Sequence, residues 1–210
     1  MQRRVVRPFA VVLSVAASGL YAPAVDGVVP AAGASAPEAF IGTFATGVFG
    51  LLNDQTLPRP TARLRLRAMM RDRFAVTEIG TRLIRRYRAE LSAAQLAAYE
   101  AALPEYLINL YADRLYDYPN ANLKIVRAVP HGSSGAVDVV TQVSTPGRKP
   151  HEVIWSVRKT SADRWMIINI TISGINLTLT QEADFNAYIG RQGFDALVHS
   201  MESTSNRVAG

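Results

Sequence analysis

Apolar positions recur at helical spacing from residue 35 to residue 118. They alternate from 123 to 172, and helical spacing returns from 179 onward. Recurrence every three or four residues lines one face of a helix, whereas alternation lines one face of a strand. Helices, then a block of strands, then more helix is the order of an α+β domain built on an antiparallel sheet. The expected domain runs from 35 to 203, with 204–210 as a flexible tail. No internal repeat is visible.

The first helix is predicted to begin at Ser35 to Pro37, with Ser35 as N-cap, Pro37 in the first turn and Glu38 facing the positive end of the dipole. The run from Ala39 to Asn53 (AFIGTFATGVFGLLN) holds no charge, and Phe40, Ile41, Phe44, Val48, Phe49, Leu51 and Leu52 surround it almost completely. Such a helix must be enclosed by protein or meet lipid. Arg63 to Arg73 predicts a short helix with Arg63, Arg67 and Arg71 in one stripe. Phe74 to Arg88 predicts another, with Val76, Ile79, Leu83 and Tyr87 inward. Ser92, with Gln95 three residues on, forms a capping-box pattern that opens the longest helix. Pro104 falls inside it and predicts a kink near Ala101 to Leu103. Beyond Pro104, Leu107, Leu110, Tyr111 and Leu115 share a face.

Four strands are predicted, at Leu123 to Val129, Ala136 to Ser144, Glu152 to Lys159 and Arg164 to Ser173. Val137, Val139, Thr141 and Val143 lie on one side of the second. Val153, Trp155 and Val157 lie on one side of the third, and Met166, Ile168, Ile170 and Ile172 on one side of the fourth. β-Branched residues in strict alternation mark half-buried strands. The helices supply apolar surface to cover this face, and more of it than one layer of packing requires.

The first 34 residues read differently. Arg3, Arg4 and Arg7 precede the uncharged run FAVVLSVAASGL, and small-x-small triplets occur at Ala22 to Ala24, Ala32 to Ala34 and Ala34 to Ala36. That is the layout of a cleavable export signal, with cleavage between 24 and 36. The apolar run is shorter than the roughly 20 residues that span a bilayer. Removal takes away three arginines and Asp26, so the formal charge of +6 overstates how basic the mature chain is. The expected location is the periplasm.

Composition narrows the chemistry. The absence of cysteine excludes disulfides, thiolate metal sites and cysteine nucleophiles. His131, His151 and His199 have no metal-ligand spacing, and GxSxG, Walker A and GxGxxG motifs are absent. No catalytic residue, cofactor or metal is expected. Ten arginines lie between Arg59 and Arg88, but Asp72, Glu78 and Glu90 dilute them, and an exported protein rarely meets nucleic acid. A solvated face, or a contact for anionic headgroups or acidic partners, fits this stretch. Two competing readings remain: an enzyme using an inward Asp138 beside a tyrosine, and an adaptor whose helices dock a partner through an exposed apolar patch.

The C-terminal segment carries a resemblance. Trp165, then INITISGINLTLTQEADFNAYIGRQGFDALVHSM, places Gly174, Leu177, Phe185, Ile189, Gly193, Asp195 and Leu197 in the order and spacing of the MlaC-type phospholipid carriers, the toluene-tolerance family. Upstream, Phe74, Gly80, Tyr87-Arg88 and Tyr111 are similar to that family's helical segment. The chain departs from it at Gln181-Glu182, where family members usually carry Tyr-Arg, and at Ala75, where an acid often succeeds the Phe.

The resemblance implies a nuclear-transport-factor or cystatin-like fold: helices on one face of a curved, four-stranded antiparallel sheet, with an internal apolar cavity. It implies a periplasmic carrier that is not an enzyme. The cargo would be a phospholipid, or a hopanoid-associated lipid in a branch of the same family. The partners would be an inner-membrane ABC transporter complex and an outer-membrane lipoprotein complex, in a system maintaining outer-membrane lipid asymmetry. A two-chain lipid has on the order of 30 methylenes at roughly 0.8 kcal/mol each, so its chains must be nearly enclosed to compete with a bilayer. The expected wall is Phe44, Val48, Leu107, Leu110, Val139, Trp155, Val157, Ile168, Ile170 and Phe185.

Overall fold

A computed structural model describes residues 35–115 and 120–209. The expected export signal lies outside the described residues, as do Tyr116 to Pro119 at the end of the long helical stretch. Six α-helices and five strands are found among the described residues: α1 (Ala36–Asn53), α2 (Arg59–Arg73), α3 (Val76–Leu83), α4 (Ala93–Leu115), β1 (Asn122–His131), β2 (Ala136–Ser144), β3 (His151–Lys159), β4 (Trp165–Ile172), β5 (Ile175–Asn176), α5 (Leu177–Gln192) and α6 (Phe194–Ala209). The sheet is antiparallel throughout, in the order β1-β2-β3-β4-β5.

The helix starts obey their sequence signals. Glu38 accepts from the N–H and the hydroxyl of Ser35. The Ser92 hydroxyl accepts from the Gln95 N–H, and the Gln95 side chain accepts from the Ser92 N–H, so α4 opens on a complete capping box. From there α4 runs through Pro104 to Leu115 as one helix.

Three expectations are corrected. The sheet has five strands rather than four. β5 is two residues long, too short to show alternation, and it folds back on β4 through Ser173 (φ 48°) and Gly174 (φ 83°). The helix expected from Phe74 to Arg88 is only Val76–Leu83. β5 pairs with β4 only at its far end, so the edge near Ile167 is open. Phe74 bridges there in parallel, and the Ala75 N–H donates to the Ile167 carbonyl (2.9 Å). A backbone group taken up by a sheet edge cannot also serve a helix. The last helical stretch is divided at Gly193, whose φ of 87° favours glycine and whose N–H closes α5 on the Ile189 carbonyl. α6 then runs from Phe194 to Ala209.

The inward faces of the strands stack in register. Val139 opposes Trp155, Thr141 opposes Val153, and Trp155 opposes Ile170. Between Ser156 and Val157 the register shifts, and Val157 then opposes Ile167. An extra residue in one strand reverses the facing of the residues beyond it. Ile167 therefore takes the fully buried place that alternation assigned to Ile168, which is only half-buried.

The core has two parts. One lies between the sheet and α1, α2 and α4, around Ile41, Phe44, Val48, Leu66, Met70, Ile108, Val139, Val157 and Ile167. The other is helical, around Leu83, Tyr99, Leu103, Leu107, Phe185, Ile189, Phe194 and Met201. α4 serves both, with Leu103 and Leu107 on one side and Ile108 and Ala112 on the other. α3 meets α4 at Gly80, whose carbonyl accepts from the buried Tyr99 hydroxyl (2.9 Å). A Cβ there would stand 2.2 Å from Leu103 Cδ2. Gly80→Ala is therefore expected to destabilise the fold by about 1–2 kcal/mol in thermal melts, the overpacking exceeding alanine's helical advantage of roughly 1 kcal/mol.

Candidate functional site

The sheet-facing core is bordered by apolar side chains that are only partly covered. They include Phe40, Phe49, Leu51 and Leu52 of α1, Leu115 of α4, Ile125 of β1, and Trp155, Trp165 and Ile170 of the inner strands. Phe44 packs edge-on against both Phe74 and Trp155, each at 5.9 Å between ring centroids. Thr141, fully buried, anchors the Trp155 indole: its hydroxyl donates to the Val153 carbonyl (2.8 Å) and accepts from Trp155 Nε1 (3.0 Å). At the rim the Arg73 guanidinium lies 5.5 Å from the Phe40 ring centre. A greasy seam with a cationic margin suits an amphiphile with a negative head.

The ten residues read from sequence as a wall separate into three groups. Phe44, Val48, Val139 and Val157 are buried in the seam, with Trp155 and Ile170 at its margin. Leu107 and Phe185 belong to the helical core instead. Leu110 and Ile168 are half-buried and belong to neither cluster. Alternation and helical spacing identify apolar faces but not which of two cores each face enters. Sequence reading also missed Ile41, Leu66, Met70 and Ile108 in the seam. Ile41 lies three residues before Phe44 on the same stripe. Leu66 and Met70 are spaced i, i+4, a signal masked by the arginines around them.

Ile41, Leu66, Val139, Val157 and Ile167 are fully buried, so the centre of the seam is filled by the chain itself. A cavity of about 260 Å³ opens at one end of it, lined by Leu51, Leu52, Asp54, Leu57, Arg59, Ala62 and Leu115 among others. That is below the roughly 300–1,000 Å³ usual for a drug-sized ligand, so it can take only part of a two-chain lipid. Asp54 holds the turn beside it: its carboxylate accepts from the Thr56 hydroxyl (2.6 Å) and N–H (2.9 Å), which lowers its pKa below the ordinary value. A smaller cavity, about 80 Å³, lies between α3 and α4 beside Gly80, Tyr99 and Pro104.

Asp138 does not point into the seam. It opposes Ser156 in the register, on the face away from Val139, and accepts from the Ser156 hydroxyl (2.6 Å) while lying 2.9 Å from His131 Nδ1. In a hydrolytic triad the imidazole stands between the hydroxyl and the carboxylate; here the carboxylate stands in the middle. The enzyme reading required an inward Asp138 beside a tyrosine, and its partners are instead a serine and a surface histidine. Glu182, in the Gln181-Glu182 pair, is buried on α5 and pairs with Arg85 (2.7 Å). Among the described residues, no group of three potential metal ligands occurs and no helix is long and apolar enough to cross a membrane.

Two comparisons bear on this arrangement. The sequence profile of a family described as "MlaC protein" matches residues 44–203. The structure of a phospholipid-binding protein from Ralstonia solanacearum, solved in complex with a phospholipid, superposes with a TM-score of 0.67 at 19% identity. The match covers 82% of this chain and 98% of that one.

Proposed function

The chain belongs to the MlaC family, and on that premise we propose that it is a periplasmic carrier that holds the acyl chains of a phospholipid between the sheet and helices α1, α2 and α4. It receives and delivers this cargo between an inner-membrane ABC transporter complex and an outer-membrane lipoprotein complex, after export directed by the segment 1–34. The observation that carries the reading is the border of the seam. A core finished for stability alone hides its large apolar side chains, yet this one leaves Phe40, Phe49, Leu51, Leu52, Trp155 and Ile170 partly uncovered around its edge.

The relative solved with a phospholipid shares this fold and supports the same cargo class. The filled centre requires α1 and α2 to part from the sheet as the chains enter, beginning at the cavity beside Leu51, Leu57 and Leu115. Burial of the acyl chains then offsets the packing that opening disrupts. Protein purified without detergent from the periplasm is expected to carry one phospholipid per chain in native mass spectrometry, with the lipid recovered in organic extract. Preparations that never contain lipid, and that take none up from phospholipid vesicles, would defeat the reading.

A further inference from the structure

Helices α2 and α4 pack antiparallel. Arg71 pairs with Glu105 near one end, and Arg59, Ala62 and Leu115 line one cavity at the other. One turn along from that ion pair stand Arg67 on α2 and Asn109 on α4, which therefore share the next rung of the seam. Both are polar where the neighbours are Leu66, Met70, Ile108 and Ala112. Asn109 is 3% exposed. Arg67 Nε and Nη2 and Asn109 Oδ1 are all buried, and none has a hydrogen-bond partner. Arg67 as a whole is half-buried, but N–H groups and an amide oxygen sealed from water without a partner are unfavourable. Nε and Nη2 form the edge of the guanidinium that engages two oxygens of one phosphate or carboxylate. A half-turn of the Asn109 amide exchanges its buried Oδ1 for an NH2, a further donor on the facing helix.

We propose that the Arg67–Asn109 rung is an oxyanion receptor that takes the phosphodiester of the cargo as α2, leaving the sheet with α1, also draws away from α4. The inference rests on the carrier reading and extends it, since it makes phosphate rather than chain length the basis of selection. Arg67 is five residues from Ala62 at the edge of the larger cavity, about 7.5 Å along the helix at 1.5 Å per residue, so the site adjoins the entrance. Free phosphate offers the same oxygens and is the other possible source.

The test uses delipidated wild type, R67M, R67K and N109L. Each is loaded from an equimolar mixture of dioleoylphosphatidylglycerol and dioleoylglycerol, and bound lipid is counted by native mass spectrometry. Wild type is expected to prefer the phospholipid by about 10- to 100-fold, the range that charged hydrogen bonds supply. R67M is expected to lose the preference while still binding both lipids, with a delipidated Tm equal to or above wild type because two sealed, unpartnered N–H groups have gone. R67K is expected to retain part of it, as a point charge without the fork, and N109L to lose part. A wild-type preference kept by R67M overturns the receptor and leaves the carrier standing. So does a delipidated R67M that melts well below wild type beside an R67K of unchanged preference, which makes Arg67 a structural group bridged by water. If wild type takes up neither lipid, the carrier reading fails and inorganic phosphate decides: a phosphate-dependent rise in Tm that R67M lacks supports a receptor for the free ion, and equal behaviour overturns it.

Discussion

Phe185→Ala is expected to lower stability by about 3–5 kcal/mol while leaving lipid capacity nearly intact in the folded fraction. Phe185 is 2% exposed, edge-on to Tyr99 at 6.5 Å and tilted against Tyr106 at 5.9 Å. It closes the helical core between α4 and α5, away from the sheet. Truncation leaves a cavity bounded by rigid rings that cannot collapse into it, which puts the cost in the upper range for core deletions. In a domain of this size the thermal midpoint should fall by roughly 6–20 °C. Thermal melts and lipid counting at low temperature separate the two effects. Loss of lipid without loss of stability would mean that the helical core is itself the binding wall.

Trp155→Asp is expected to abolish lipid retention, with occupancy reduced by at least about tenfold, and to cost several kcal/mol of stability. The indole sits at the margin of the seam, against Phe44 on one side and tied to Thr141 on the other. Aspartate removes that apolar area and places a carboxylate where acyl chains would lie. It also leaves the Thr141 hydroxyl without its donor. Trp155→Phe is the control: it loses the hydrogen bond, worth about 0.5–1.5 kcal/mol, but keeps an apolar ring. Its occupancy should stay within a few-fold of wild type. Equal lipid occupancy in the aspartate variant, measured on folded protein, would remove Trp155 from the proposed wall.

The two variants also mark where reading the chain succeeds. Trp155 and Phe185 are both large apolar residues at correctly spaced positions in correctly identified elements, yet they belong to different cores. Spacing reports which way a side chain faces relative to its own backbone; which neighbour it meets depends on how helices far apart in sequence converge. Ile168 is a second example. Alternation points it inward, but a register shift just past the row of Trp155 hands that place to Ile167. The orphaned polar atoms of Arg67 and Asn109 are a third, because in the sequence Arg67 is one of ten arginines on a basic stretch.

The order of elements, the caps at Ser35 and Ser92 and the strand limits near Ala136 to Ser144 were set by local pattern, because each depends on residues within a turn or a strand of one another; the family signature was legible because its residues keep their order and spacing along the chain. The division into two cores, the capture of Phe74 by the open edge of β4, the addition of β5 and the burial of unpartnered polar atoms on Arg67 and Asn109 were decided only by tertiary packing. Most of those features join segments separated by tens of residues, and their energies come from contacts that no local periodicity encodes.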